Sequence, residues 1–338
     1  MEMKLTVQTI SEGLGGASVI QITDYAHITQ KVEIMTQRLD SPGKMTFVCL
    51  EEGKIAIPEG SAVECSVDGI KMFKGFVMAI ERTKDGETTY TAYDQLRYLK
   101  ANASYAFKDM SLSQIIQQIA LDFGLVTGKL ADTGYVFPCL IKGNEGCLDI
   151  IFDALTQTII QTGKIFLFYD DAGTLTLAEA KELFHYTVLG DNSLATNYTY
   201  NRNIDADTYN RIKLVKKNEE TGRTDTYTHE DTDNIKKWGL LQYYDEVDKN
   251  LNDAQVDEMC SLYLKYYNRV LQTLTIEAVG VPSIRAGSIV PIQIAGIDGL
   301  VSSRLLLAEK VTHHFDGDNH TMSIEVKSFD HLGGEMIV

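Results

Sequence analysis

The chain has 338 residues, 44% hydrophobic and 23% charged, ordinary for a globular protein and enough for two or three domains with real cores. That composition excludes a disordered chain, and no run of about 18 apolar residues is present to cross a membrane as a helix. Thirty-one basic side chains against 47 acidic ones give a net charge of −16. This argues against stable nucleic-acid binding, which depends on Lys and Arg neutralising phosphates. The excess serves solubility, or gives a surface over which DNA can pass without sticking.

Met1-Glu2-Met3-Lys4-Leu5 lacks the apolar stretch of a secretory signal, so folding in a cytoplasm is expected. Five cysteines, Cys49, Cys65, Cys139, Cys147 and Cys260, show no C-x-x-C spacing and are odd in number, which predicts buried free thiols.

From Leu5 to about Tyr98 the sequence is β-like, with runs 32–34, 45–50, 62–67 and 88–93 bounded by Gly, Pro and Asp. At Ser111 the period changes. Ser111 and Gln114 form an S-x-x-Q capping box, and Ile115, Ile116, Ile119 and Phe123 follow at helical spacing before Gly124. A second helix is predicted from about Leu148 to Gln161, with Leu148, Ile151, Phe152, Leu155 and Ile159 on one face and Gly163 as its stop. Residues 165–169 and 174–177, joined by Asp170-Asp171-Ala172-Gly173, read as a hairpin. Asn210–Val215 reads as a strand and Asn218–Arg223 as a charged turn. Asn252-Asp253 caps a helix running to about Leu271, whose face carries Val256, Met259, Cys260, Tyr263, Tyr266 and Tyr267.

One pattern occurs twice. Ile57-Pro58-Glu59-Gly60-Ser61-Ala62-Val63 leads through Gly75-Phe76-Val77 to Thr88-Thr89-Tyr90 and closes on Tyr93-Asp94. Ile284-Arg285-Ala286-Gly287-Ser288-Ile289-Val290 leads through Ala308–Val311 to His320–Val326 and closes on Phe329-Asp330. Gly60 and Gly287 should occupy the same turn, and the strands after them should pair in the same order. The expected fold class is α+β: two small antiparallel β-barrel domains, 1–98 and 191–338, the second with an inserted helix, flanking a helix-containing α+β middle domain, 99–190.

No constellation of residues carries a chemistry. Gly124–Leu130 approaches a phosphate-binding loop, but its glycine spacing is one short and no Ser or Thr follows Lys129. Asp316–His320 begins like a calcium loop, yet Lys327 stands where the bidentate Glu belongs. His313, His314 and His320 form the one histidine cluster; neighbours on a strand face opposite ways, so at most one of His313 and His314 joins His320, too few ligands for a metal. Acidic pairs such as Asp170-Asp171 and Glu219-Glu220 read as turns. Tyr243-Tyr244 and Tyr266-Tyr267, from 17 tyrosines, read first as core and second as interface anchors. Catalytic, cofactor-binding and metal residues are therefore each set at none, and the chain is expected not to be an enzyme.

Phe73–Val77, Ala92–Leu99, Ile119–Leu125 and Trp238–Tyr244 resemble, in order from about Leu5 to about Leu332, the baseplate hub proteins of PBSX-type prophages and related contractile particles. Trp238 stands where Tyr is expected, and a flat aromatic is retained. The resemblance implies a virion structural protein: a homotrimeric ring with two tail-tube-like barrel domains per chain, a symmetry adaptor joining the tail tube to the central spike. Its role is similar to that of the hub part of type VI secretion spike proteins. Implied partners are the tail tube protein, the central spike protein and baseplate wedge proteins, with assembly in the bacterial cytoplasm into a phage tail or tailocin and no membrane segment. The alternatives are a tail-associated cell-wall hydrolase and a carbohydrate-binding module of the receptor-binding apparatus.

Overall fold

The computed structural model describes residues 1–12, 18–50, 57–218, 223–247, 251–297, 300–301 and 303–327. Its first elements are strands β1 (Met3–Glu12), β2 (Ser18–Asp24), β3 (Thr29–Gln37), β4 (Lys44–Leu50), β5 (Ala62–Val67), β6 (Ile70–Arg82), β7 (Glu87–Tyr93) and β8 (Asn102–Ser111). Helix α1 (Leu112–Asp122), strands β9 (Thr127–Leu130) and β10 (Val136–Gly146), helix α2 (Cys147–Thr162) and strands β11 (Phe166–Asp170), β12 (Leu175–Glu179) and β13 (Leu189–Gly190) follow. Next come β14 (Ala195–Asn203), β15 (Arg211–Asn218), β16 (Arg223–Glu230), helix α3 (Thr232–Trp238), β17 (Gln242–Glu246) and helix α4 (Asp253–Tyr267). The last described elements are β18 (Leu271–Val279), β19 (Ile289–Gln293), β20 (Arg304–Asp316) and β21 (Asn319–Lys327).

The chain is mostly β and divides into two compact units, residues 1–198 with 275–326, and residues 199–274. In the first unit, alternation decides the faces. Strands β4, β5 and β7 bury every second residue, among them Met45, Phe47, Cys49, Val63, Cys65, Val67, Tyr90 and Ala92. Phe47 and Tyr90 stack at 5.0 Å between centroids within this core.

A second core in the same unit lies under the helices. The Ser111–Gln114 capping box forms, with the Ser111 side chain taking the Gln114 N–H and Gln114 returning to the Ser111 N–H, an arrangement that adds about 1 kcal/mol to the helix start. Gly124 (φ +64) follows the end of α1, and Gly163 (φ 68) caps α2 in the left-handed conformation. Ile115, Ile116, Ile119, Leu148, Ile151 and Leu155 pack together, and the β11–β12 hairpin turns at Ala172 and Gly173. Absent from the sequence reading was the β8–β10 pair behind these helices. Cys139 is the exception to the expected burial of thiols. All five cysteines are free, but Cys139 lies on the exposed side of β10, whose one strand neighbour among the described residues is β8.

In the second unit, α4 packs on the three-stranded sheet β16-β15-β17. Its core has four fully buried residues, Ile212, Leu214, Val256 and Cys260, and tyrosines complete it: Tyr209, Tyr243, Tyr263 and Tyr267 interlock edge-on and stacked. Each tyrosine pair is thus split. Tyr243 and Tyr267 are core, while Tyr244 and Tyr266 point out, with Arg269 lying 4.1 Å over the Tyr266 ring. Helix α4 begins at the predicted Asn252 cap but stops at Tyr267; Asn268 leaves the helical region at ψ 68, and Leu271, expected in the helix, opens β18. Of the charged turn between β15 and β16, residues 219–222 lie outside the described residues.

The repeat is present down to its irregularities. At Gly60 (φ +80), Gly60 N donates to Val77 O, Ser61 N to Pro58 O, and Val77 N to Ser61 O. At Gly287 (φ +91) the same three bonds run Gly287 to Ala308, Ser288 to Arg285, and Ala308 to Ser288. Strand order matches too: β5-β6-β7 corresponds to β19-β20-β21. A bulge falls after Val77 in the first copy and after Ala308 in the second, and both hairpins turn on Asp-Gly, at Gly86 and Gly317. This register equates Val326 with Ala92; Phe329-Asp330 lies outside the described residues.

The expected barrels are not closed. Among the described residues, the main sheet follows the path β14-β18-β21-β20-β3-β4-β7-β6-β5-β1-β2 and is open at both ends. Its β3 gives its outer edge to β20 of the second copy, Lys31–Gln37 against Asp316–Lys310, so it cannot close the first copy on itself.

Both repeat turns need positive φ, which costs an L-residue about 1–2 kcal/mol. A Cβ at Gly60 would meet nothing within 4 Å, whereas at Gly287 it would meet Leu167 Cδ1 at 2.9 Å. Chemical denaturation should therefore show Gly60→Ala losing about 1–2 kcal/mol and Gly287→Ala losing more; equal losses would mean that the second turn is not packed as described.

Candidate functional site

The second repeat turn is where the parts of the first unit meet. Its residues contact three separate segments in succession. Arg285 Nη1 donates to Asp170 O at 3.0 Å, and its guanidinium lies 3.9 Å over the Tyr169 ring, with Asp171 Oδ1 at 3.8 Å. Ala286 N donates to Thr36 Oγ1 at 2.9 Å, Gly287 packs on Leu167, and Ser288 Oγ lies 3.2 Å from His185 Nε2. Positive φ at Gly287 allows one short turn to address β3, the β11–β12 hairpin and the segment before β13.

Beneath it is a buried polar layer. Asp94, 5% exposed, accepts from Gly43 N at 2.7 Å and Leu96 N at 3.0 Å, capping the short helical turn 95–100. Gly43 is required for that approach, since a Cβ there would lie 2.5 Å from Asp94 Oδ2. Gln95 donates to Asp170 Oδ2 at 2.9 Å and accepts from Val126 N at 2.9 Å; Asp170 Oδ1 accepts from Gly173 N at 2.6 Å. Burial, followed by the nearby Asp170 carboxylate, pushes Asp94 well above the usual carboxylate range, against its two N–H donors and Arg285. Burial likewise raises Asp170. Arg285 is the cation that compensates these two acids, and its Nε finds no acceptor among the described residues. The layer can hold three segments in fixed relation.

The histidines separate as their strand positions require. His314 faces Glu33, with Nδ1 3.4 Å from Oε2, on the opposite side from its neighbour. His313 is 2% exposed; its Nε2 donates to Ile284 O at 2.7 Å, so its Nδ1 must accept from His320 Nε2, 2.9 Å away. Gly280 makes room for this pair, since a Cβ there would fall 2.2 Å from the His320 ring. Burial pushes both rings down to about 4. No group of three or more His, Cys, Asp or Glu suited to a metal ion occurs among the described residues. Residues 124–130 form the turn after α1 and strand β9, and 316–320 the β20–β21 turn.

These features define a class: a β-rich protein in which a duplicated strand module is locked to a helical insert. The fold is shared with the 43 kDa tail protein of prophage MuSo2 from Shewanella oneidensis, at TM-score 0.69 and 14% identity over 97% of this chain and 99% of that one. The tail protein from Neisseria meningitidis MC58 is similar, at TM-score 0.64 and 14% identity over 98% of each. A chain of a PdpA–VgrG complex matches at TM-score 0.53 and 12% identity, over 98% of this chain and 65% of that one. The model of the YQBQ-like family matches residues 32–327, and the chain belongs to that family. Two relatives from Bacillus subtilis (strain 168), YqbQ over 316 residues and the phage-like element PBSX protein XkdQ over 319, are each 31% identical, covering 91% of this chain and 95% of theirs.

Two pH responses of opposite sign follow. The His pair is neutral when folded, so between about 6.5 and 4 the unfolded chain binds more protons; stability conferred above 6.5 is lost as pH falls through that window. Asp94 and Asp170 have raised folded values, so the cost of ionising them in place lifts on acidification. Arg285→Met should cost about 2–3 kcal/mol at pH 7, discounted from a fully buried pair because the Arg285 side chain is 22% exposed. Melts should show that loss shrinking as pH falls; a pH-independent loss would mean that Arg285 does not compensate the two acids.

Proposed function

We propose that this protein is the structural hub of a phage baseplate or phage-tail-like particle: a homotrimeric ring that joins the tail tube to the central spike without catalysing a reaction. The observation that carries it is the duplication. One chain holds two copies of a strand module with the same turn, bulge and strand order, so three chains supply six, enough to meet a sixfold tube on one face and a threefold spike on the other. The barrels implied by the family resemblance are then built between modules instead of within each. Membership of the YQBQ-like family, a relative in the phage-like element PBSX and the fold shared with two tail proteins, one of them from a prophage, support the same reading. The fold shared with a chain of a PdpA–VgrG complex is consistent with a place in a larger assembly.

Surface features agree. Ile10, Ile20 and Ile22, between 60% and 67% exposed, share one face of the β1–β2 hairpin at the edge of the main sheet, as expected of a subunit that covers this surface on assembly. A net charge of −16 suits a channel through which DNA or a spike must slide without sticking. Among the described residues, no helix is long and apolar enough to cross a membrane.

Light scattering of the full chain, alone and mixed with its tube and spike neighbours, should give three chain masses in at least the mixture. A monomer in both would remove the hub reading. Lysis of peptidoglycan in a zymogram would favour a cell-wall hydrolase instead.

A further inference from the structure

Residues 280–284, which lead from β18 into the second repeat turn, are tied to the β20–β21 hairpin by two histidines. Gly280 N donates to His320 O at 2.9 Å, and the His320 ring lies against the Gly280 α-carbon, where a Cβ would fall 2.2 Å from it. The same ring stacks on Phe315, with centroids 4.2 Å apart. Its Nε2 donates to His313 Nδ1, and His313 Nε2 donates to Ile284 O. The turn that follows bonds Asp170, Thr36 and His185, so the histidine pair stands at the root of the junction.

Counting ring nitrogens locates the one place where a proton can enter. His313 engages both of its nitrogens and His320 engages Nε2, which leaves His320 Nδ1 as the nitrogen without a hydrogen-bond partner among the described residues. Charging that ring while it lies against Gly280 and Phe315 costs desolvation, whereas His320 is only partly buried and a rotation about its side chain brings it to water. The neighbours offer little to hold the charge in place. Ile34 of β3 and Met322 of β21 stand opposite His313, Glu33 pairs with His314 on the other face, and residues 280–284 contain no ionisable side chain. Asp68, in the turn between β5 and β6, is the acid that favours a charged His320, while His313 feels the adjacent His314 and His320 as like charges.

We propose that His320 is a proton-operated latch: on acidification its ring leaves the Gly280 cleft, His313 loses its donor, and residues 280–288 loosen from the hairpin while the cores of the first unit stay folded. The latch is a property of one chain and does not depend on the ring reading. Its strength follows from the values in place and in water. A ring that titrates at about 4 when docked and at 6.5 when free favours the open form by up to about a hundredfold near the lower value. Loosening there frees Arg285, Ala286 and Ser288 together, and with them the hold of the turn on β3, the β11–β12 hairpin and His185.

Hydrogen–deuterium exchange of the full chain at about pH 7.5 and about pH 4, with rates corrected for the intrinsic effect of pH, tests this. The amides of Gly280, Ile284 and Gly287, which donate to His320 O, Val281 O and Ala308 O, should lose protection at least about tenfold at the lower pH while α1 and α2 keep theirs. His320→Gln retains a donor at the position of Nε2 and cannot ionise, so it should abolish the response. Gly280→Ala displaces the ring and should show the loosened pattern at both pH values; if it does not fold, the His320→Gln comparison decides alone. Equal protection of the parent at both pH values, or an undiminished response in His320→Gln, would overturn the latch. Loss of protection across α1 and α2 together with 280–288 would also overturn it, since the change would then be global unfolding.

Discussion

Strand β3 has neighbours from opposite ends of the chain, β4 just after it and β20 near the last described residue, and the first unit depends on that double pairing. Thr36 of β3 bonds both to Val311 O and to the N–H of Ala286, so one residue fixes the strand and the repeat turn together. Arg38, just past the end of β3, ion-pairs with Glu309 at 2.9 Å, at the bulge of β20. With that register set, the turn at Gly287 falls onto Leu167, Tyr169 and Asp170, and the helical insert is held in place. A one-residue slip of β3 would invert its faces and carry Val32 and Ile34 out of the core.

Much of this was legible wherever a local rule decides the backbone. The two capping boxes, at Ser111 and Asn252, and the left-handed stop at Gly163 depend on residues within three or four positions of one another. The duplicated turn was legible because positive φ at Gly60 and Gly287 leaves glycine as the unstrained choice. Failures came where local cues mislead. Strands β8 and β10 carry Asp109 and Asn144 at positive φ, a bulge between Lys142 and Glu145, and Pro138, all of which read as turns. The closing contacts of the sheet join residues far apart in sequence, and no periodicity records which edge meets which.

The polar junction was legible in part. Asp170, Asp171 and Arg285 appear in a hairpin turn and in the repeat, but their partnership arises only from the tertiary approach of the two. Asp94 stood as a repeat-closing residue, and the structure adds that it caps the turn at 95–100. Reasoning from strand alternation placed the histidines correctly: one of the adjacent pair joins His320 and the other faces Glu33. The space that Gly280 opens for the pair has no local sequence signature.

The long reach of β3 also bears on how the chain is made. Thr36 waits for Val311, 275 residues later, before its outer edge is satisfied. At translation speeds of about 5–20 residues per second, that is roughly 15–55 s during which the N-terminal strands can fold against one another while one edge stays open to any other strand nearby. On a polysome that nearby strand belongs to another nascent copy. The parting of productive closure from premature association is therefore kinetic, set by how soon β20 leaves the ribosome, and slower elongation ahead of it would lengthen the exposure.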